Sequence, residues 1–185
     1  MTSRDLWYRV KPLVRSIQSA DGVLIVDDTI AHKPHMDEND IVCWYYDHTE
    51  GRTVKGINLL SVLYHSQDVT LPVGYAIVSK TETDIDPKTG KEKRVSDITK
   101  NEYFRRLVRC SAKNMPFRYV LSDVWYACAE NMKFIKQDLR RHFIMPLKSN
   151  RCIALSAQDK RRGNYVTVET LPLKDSVTAV DYNVP

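Results

Sequence analysis

The run Val23-Leu24-Ile25-Val26-Asp27-Asp28-Thr29 passes from four consecutive aliphatic residues to two acids. It follows a turn at Asp21-Gly22, and its unbroken, β-branched-rich character suits a strand covered on both faces. Two carboxylates therefore stand at a strand end. A strand buried on both faces shows no in-out alternation, so the pattern alone leaves Asp27 and Asp28 as alternatives.

The same pattern returns later. Arg118 to Leu121 is a short apolar run that ends in Ser122-Asp123, and Trp125 to Arg141 then carries apolar residues at helical spacing, at Ala129, Met132, Ile135 and Leu139. In a mixed sheet with helical crossovers, two such strands bring Asp28 and Asp123 together if they are neighbours. The competing reading makes each a capping or turn aspartate.

Outward from these runs, Val54–His65 and Leu71–Thr81 are apolar strand candidates joined by a short polar link, an expected antiparallel pair. Arg4–Ile17 has a helical period interrupted at Pro12, and Ala31–Asp40, with Pro34, reads as a loop. Asp84–Asp97 is charged and contains Pro87 and Gly90, as an exposed loop or hairpin arm does. A helix is expected from Ile98 through Ala112, a strand at Phe143–Leu147, a basic loop from Ser149, and a partly exposed strand at Tyr165–Val168. The expected order is three strands, helix, strand, helix, strand, then a β-rich extension.

With 185 residues, 43% hydrophobic and 28% charged, the chain is long enough for one domain with a real core and unlike a disordered polymer. No apolar run approaches bilayer length and no basic start leads into an apolar stretch, so a cytoplasmic protein without membrane contact is expected. The four cysteines, Cys43, Cys110, Cys128 and Cys152, form no close pair and are read as buried thiols. Net charge is +5, gathered at Lys88, Lys91, Lys93 and Arg94, at Arg105, Arg106, Arg109 and Lys113, and at Arg140, Arg141, Lys148, Arg151, Lys160, Arg161 and Arg162. A polyanion partner and a solvated basic surface both fit this distribution.

Paired carboxylates suit hard divalent cations, which prefer oxygen ligands. His32 and His35 beside Asp37 and Glu38 read as an exposed polar loop rather than a metal site. Trp44, Tyr45 and Tyr46 could stack on bases or pack at a strand edge. Neither a Gly-rich phosphate loop nor a nucleophile elbow is present.

The segments VLIVDDT, VKGINLLSVLYHS followed by LPVGYAIVSKT, and YVLSDVWYACAENMKFI leading into FIMPLKSNR resemble the DDE transposases of bacterial insertion sequences. The resemblance runs from Gly22 to Leu173 with the segments in the family's order. It implies a ribonuclease-H-like α/β fold: a mixed five-stranded sheet with flanking helices and a β-rich insertion, here C-terminally incomplete. The implied division is a lead-in helix over 1–20, a partial catalytic core over 21–150, and the start of the insertion over 151–185.

By the family motif the aspartate directly before Thr29 takes the first catalytic role, which favours Asp28, and Asp123 takes the second. Both would hold Mg²⁺ or Mn²⁺ for cleavage and strand transfer, with DNA, transposon ends and target, as substrate. Lys148, Arg151, Arg161 and Arg162 would contact the phosphate backbone, and two copies would act as a homodimer. The family's third acid is a glutamate on a later helix, after Tyr and Arg at fixed spacing, and no segment after the insertion has that pattern. Tyr103 and Arg106 show the spacing but Cys110 stands where the acid belongs, and Glu169 lacks the Tyr and Arg and reads as surface. Only about a helix precedes the first strand, without a terminal-repeat-binding region, so a central piece of a transposase is expected. The alternatives are an inactive DNA-binding or dimerising remnant and a metal-dependent nuclease of the same fold.

Overall fold

The computed structural model describes residues 2–171 other than Lys88. Helix α1 (Ser3–Ile17) opens with a reciprocal cap between Thr2 and Asp5 and leads into strand β1 (Val23–His32). Strands β2 (Val42–Asp47), β3 (Arg52–Ser66) and β4 (Val69–Ile77) follow, then a hairpin of β5 (Glu82–Ile85) and β6 (Glu92–Val95). Helix α2 (Lys100–Asn114), strand β7 (Tyr119–Ser122), helix α3 (Ala129–Lys133) with a π-helical continuation over Phe134–Asp138, and strand β8 (His142–Ile144) complete the core. Beyond it, β9 (Cys152–Ile153) pairs with β10 (Val166–Thr167) around helix α4 (Ala157–Arg162).

The fold is mixed α/β, with parallel and antiparallel strands in one sheet flanked by helices, consistent with a ribonuclease-H-like domain. Its spine is β3. The first half of β3, Arg52–Ile57, pairs with β2 and the second, Leu59–Ser66, with β4, so two strands share one edge end to end. Along its other edge runs β1, antiparallel, with β7 and then β8 added in parallel. The sheet has six strands instead of the expected five, and β2 is the addition. The short link after Ser66 is a two-residue turn in which Gln67 and Asp68 both have positive φ (50° and 61°), the geometry that matches the twist of an antiparallel hairpin.

One face of the sheet is covered. Leu24 and Val26 of β1, Leu60, Val62 and Tyr64 of β3 and Val120 of β7 pack with Val14 of α1, Phe104 and Val108 of α2, and Phe134 and Ile135 of the π turn. On the opposite face Ile25, Leu59, Leu63 and Leu121 remain half-exposed. Asp28 falls on the covered face by alternation from Leu24 and Val26, and Asp27 on the open one. At Gly56 a Cβ would meet the Ala31 carbonyl oxygen at 2.5 Å, so only glycine allows β1 and β3 to approach there.

Several expectations need correction. Helix α1 runs through Pro12 without a break, because Trp7, Val10, Val14 and Ile17 hold it on the core while Leu13 stays exposed. β1 extends through His32, into residues expected to form a loop. The helix expected over Trp125–Arg141 begins only at Ala129, after a loop that carries Trp125 and Tyr126. Of the cysteines only Cys43 is buried; Cys110 and Cys152 are exposed and Cys128 is partly so. Among the described residues no helix is long and apolar enough to cross a membrane. Lys88 and residues 172–185, which include the end of the expected insertion, lie outside the described residues.

Candidate active site

The parallel pairing of β1 with β7 sets the geometry. The last register pair is Val26 opposite Ser122, so Asp27 and Asp123 are the next residues along two adjacent strands, and Asp28 is one further. Adjacency follows from the hydrophobic runs, since Leu24 and Val120 form the layer beneath.

The two neighbouring acids of β1 have different surroundings. Asp28 is largely buried, and its carboxylate accepts from Tyr126 Oη at 2.8 Å, Asn58 Nδ2 at 2.8 Å and Lys100 Nζ at 2.6 Å. Burial alone would raise its pKa, but the hydrogen bonds from Lys100, Asn58 and Tyr126, together with the Lys100 charge, hold it below the usual carboxylate value. Asp27 is exposed, and its Oδ1 accepts from the Asp28 backbone N–H at 2.9 Å.

Each donor to Asp28 is placed by packing. Tyr126 is buried, stacks on Phe104 with ring centroids 5.1 Å apart, and has its carbonyl held by Asn131 Nδ2 at 2.9 Å. Lys100 stands in the first turn of α2, which Thr99 starts by accepting from the Glu102 N–H. Asn58 is fully buried at the junction where β3 changes partner from β2 to β4, and its Oδ1 has no hydrogen-bond partner among the described residues. None of the three was foreseen. Tyr126 and Asn58 lie within segments that carry the family resemblance, but nothing local in sequence connects Asn58 or Lys100 to Asp28.

Asp123 follows β7 and accepts from the Trp125 backbone N–H at 3.0 Å. Its carboxyl is raised above the usual value, first by burial and then by repulsion from Asp27 and, less strongly, Asp28; the Trp125 N–H opposes this in part. Carboxylate oxygens are the donor type that a hard divalent cation takes, and such a cation would relieve the repulsion between these acids. The Lys100 ammonium already compensates Asp28 in part.

Among the expected phosphate contacts, Lys148 lies with its Nζ 4.6 Å over the ring of Trp125, whose backbone N–H bonds to Asp123. Arg151, Arg161 and Arg162 are exposed, the last two on α4. The other basic groups are largely engaged: Arg94 with Asp40 and Glu38, Lys93 with Asp86, Arg105 with Glu130, Arg106 with Glu102, and Arg109 and Arg141 over Phe134 and Phe117. His32 leaves the expected loop cluster and instead faces Asp47 Oδ2 at 3.2 Å and Glu50 Oε1 at 3.6 Å, with Arg52 also on Glu50. One ligand atom from each of His32, Asp47 and Glu50 lies within 4.8 Å of the others, a spacing at which the three could hold a metal ion. Glu169 is exposed in a 3-10 turn at Val168–Thr170.

No curated protein matches the chain. Among solved structures, the Drosophila P element transposase strand transfer complex is similar at 14% identity and a TM-score of 0.31, over 87% of this chain and 36% of that one. A family model described as DDE superfamily endonuclease matches residues 3–164, and that span takes in both aspartate-bearing strands and the helices that cover them, so the chain belongs to the DDE superfamily endonuclease family.

Proposed function

We propose that this chain is the catalytic core of a transposase that cuts and joins DNA, with Asp28 and Asp123 as the metal-holding acids. The observation that carries the reading is the parallel β1–β7 register, with Val26 against Ser122, in a member of an endonuclease family. When bound, Mg²⁺ or Mn²⁺ would supply Lewis-acid activation of the attacking oxygen and neutralise charge on the leaving one. The chain's own part is to hold the strand. Lys148 contacts phosphate near the acids, and Arg151, Arg161 and Arg162 track the backbone further along. Two copies working on paired DNA ends complete the proposal.

One observation favours a variant of this reading. Asp28 already accepts three hydrogen bonds, one from an ammonium, whereas Asp27 is exposed and is the stronger electrostatic neighbour of Asp123. In that variant Asp28 anchors β1 to α2 and Asp27 holds the ion. The test is a Mn²⁺ titration followed by water-proton relaxation on the wild type, Asp27→Asn, Asp28→Asn and Asp123→Asn. Loss of binding in Asp28→Asn and Asp123→Asn supports the main reading, and loss in Asp27→Asn and Asp123→Asn the variant. Binding unchanged in Asp123→Asn would overturn both.

A further inference from the structure

Three exposed aromatic rings form a contiguous row that ends at Trp125, two residues after Asp123. Tyr46, at the end of β2, meets His48 with ring centroids 4.7 Å apart, and His48 meets Trp125 at 4.5 Å. Lys148 closes the row with its Nζ 4.6 Å over Trp125. Tyr46 is 54% exposed and Trp125 50% exposed, and His48 is exposed as well. Their neighbour in sequence shows the contrast: Tyr45 turns inward, is 7% exposed, and donates to the Val78 carbonyl at 2.8 Å. The row therefore lies outside the core.

Two separated segments supply the rings: the end of β2 with the turn that follows it, and the loop after β7. Rings brought together from separated segments and left open to solvent form a platform on which further flat rings can stack. The row ends on the residue whose backbone N–H is bonded to the Asp123 carboxylate. A protein surface would satisfy the apolar faces but not the placement of a lone ammonium over the terminal ring. A nucleotide matches both, with a base for the rings and a phosphate for Lys148.

We infer that Tyr46, His48, Trp125 and Lys148 form a stacking site for unpaired DNA bases that flank the phosphate presented to the acids. The bases must be unpaired because in a duplex their faces are covered by neighbouring base pairs, whereas a frayed or single strand exposes them. The inference rests on the proposed nuclease reading for the role of the neighbouring acids, but the stacking itself needs no metal.

The experiment measures affinity of the whole chain for a fluorescein-labelled oligothymidylate, an abasic strand of equal length and a duplex of equal length, all in EDTA. The thymidylate should bind more tightly than the abasic strand. Trp125→Ala and Tyr46→Ala should each weaken thymidylate binding roughly tenfold, leave duplex binding unchanged, and be largely restored by Trp125→Phe and Tyr46→Phe. Equal affinity for the abasic strand, or no loss in either alanine variant, would overturn the inference, and so would losses shared equally by the duplex. Two alanine variants on different elements guard against misfolding of one. Because EDTA removes divalent ions, failure here is separate from failure of the acids, which the Mn²⁺ titration reads alone.

Discussion

Tyr126 Oη donates to Asp28 Oδ1 at 2.8 Å, which ties the loop after β7 to the acid of β1 across 98 residues of sequence. The phenol is buried and the carboxylate largely so, and burial together with the adjacent Asp28 charge pushes the phenol's own pKa well up. Tyr126→Phe should keep the stack on Phe104 and lose only this donor. The expected result is a stability loss of about 1 kcal/mol in urea denaturation, with the Asp28 carboxyl titrating at a higher pH by NMR. An unchanged Asp28 titration would mean that Lys100 and Asn58 alone set its charge.

Lys100 competes with any cation for Asp28, since its ammonium sits 2.6 Å from Oδ2. Lys100→Met keeps most of the stem's packing and removes the charge. If Asp28 is a metal ligand, Mn²⁺ should bind about fivefold more tightly in this variant, the effect of roughly 1 kcal/mol of partly screened charge. No change would pass the role of first acid to Asp27.

Opposite shifts at Asp28 and Asp123 predict a stability maximum in mild acid. The raised Asp123 carboxyl destabilises the fold above its folded pKa, and that penalty fades as the pH falls to the ordinary carboxylate value. The lowered Asp28 carboxyl stabilises the fold above the ordinary value, and that gain is lost as the pH falls through its folded pKa. Stability from these two groups therefore rises as the pH falls through the folded pKa of Asp123 and falls below about pH 4. Asp123→Asn should remove the rise and keep the fall, as read by thermal melts across pH.

The sheet was largely legible because its strands announce themselves as aliphatic runs, and two of them end in acids. What escaped was non-local. β2 carries exposed Trp44 and Tyr46 on one side and buried Cys43 and Tyr45 on the other, an aromatic alternation that reads in sequence as a cluster because no aliphatic run marks the strand. The partners of Asp28 come from β3, α2 and the loop after β7, and only the assembled register shows that Asn58 and Lys100 reach one carboxylate. The pattern of the run left Asp27 and Asp28 open and only the family resemblance favoured Asp28, whereas the packing of Leu24 and Val26 puts the two on opposite faces. The basic groups looked alike in sequence, yet the first two are mostly paired with acids or aromatic rings, which leaves the late group as the exposed charge.

That late group predicts salt-sensitive binding to duplex DNA with little sequence preference. Arg161 and Arg162 are exposed on α4, and each phosphate contact they make should release about one counterion. The logarithm of affinity should fall linearly with the logarithm of salt, and the double variant Arg161→Ala, Arg162→Ala should lessen the slope by about 2. A flat response in the wild type would remove the phosphate-tracking role.

The last prediction concerns cleavage. The 185-residue chain should bind a divalent ion and DNA without nicking the DNA in Mg²⁺ or Mn²⁺. Phosphoryl transfer needs ions held rigidly enough to meet charge as it develops, and an octahedral cation takes about six oxygens. Asp123 offers one carboxylate, and most of the accepting capacity of Asp28 is already used by Tyr126, Asn58 and Lys100. Glu169 sits exposed in the turn after β10. A supercoiled-plasmid assay should therefore show no relaxed circles above the metal-free control, whereas a form of the protein with a further helix-borne glutamate at the acids should cleave. Divalent-dependent nicking by these 185 residues, abolished by Asp123→Ala, would show that the chain already supplies its third acid, and Glu169→Gln is the first variant to make.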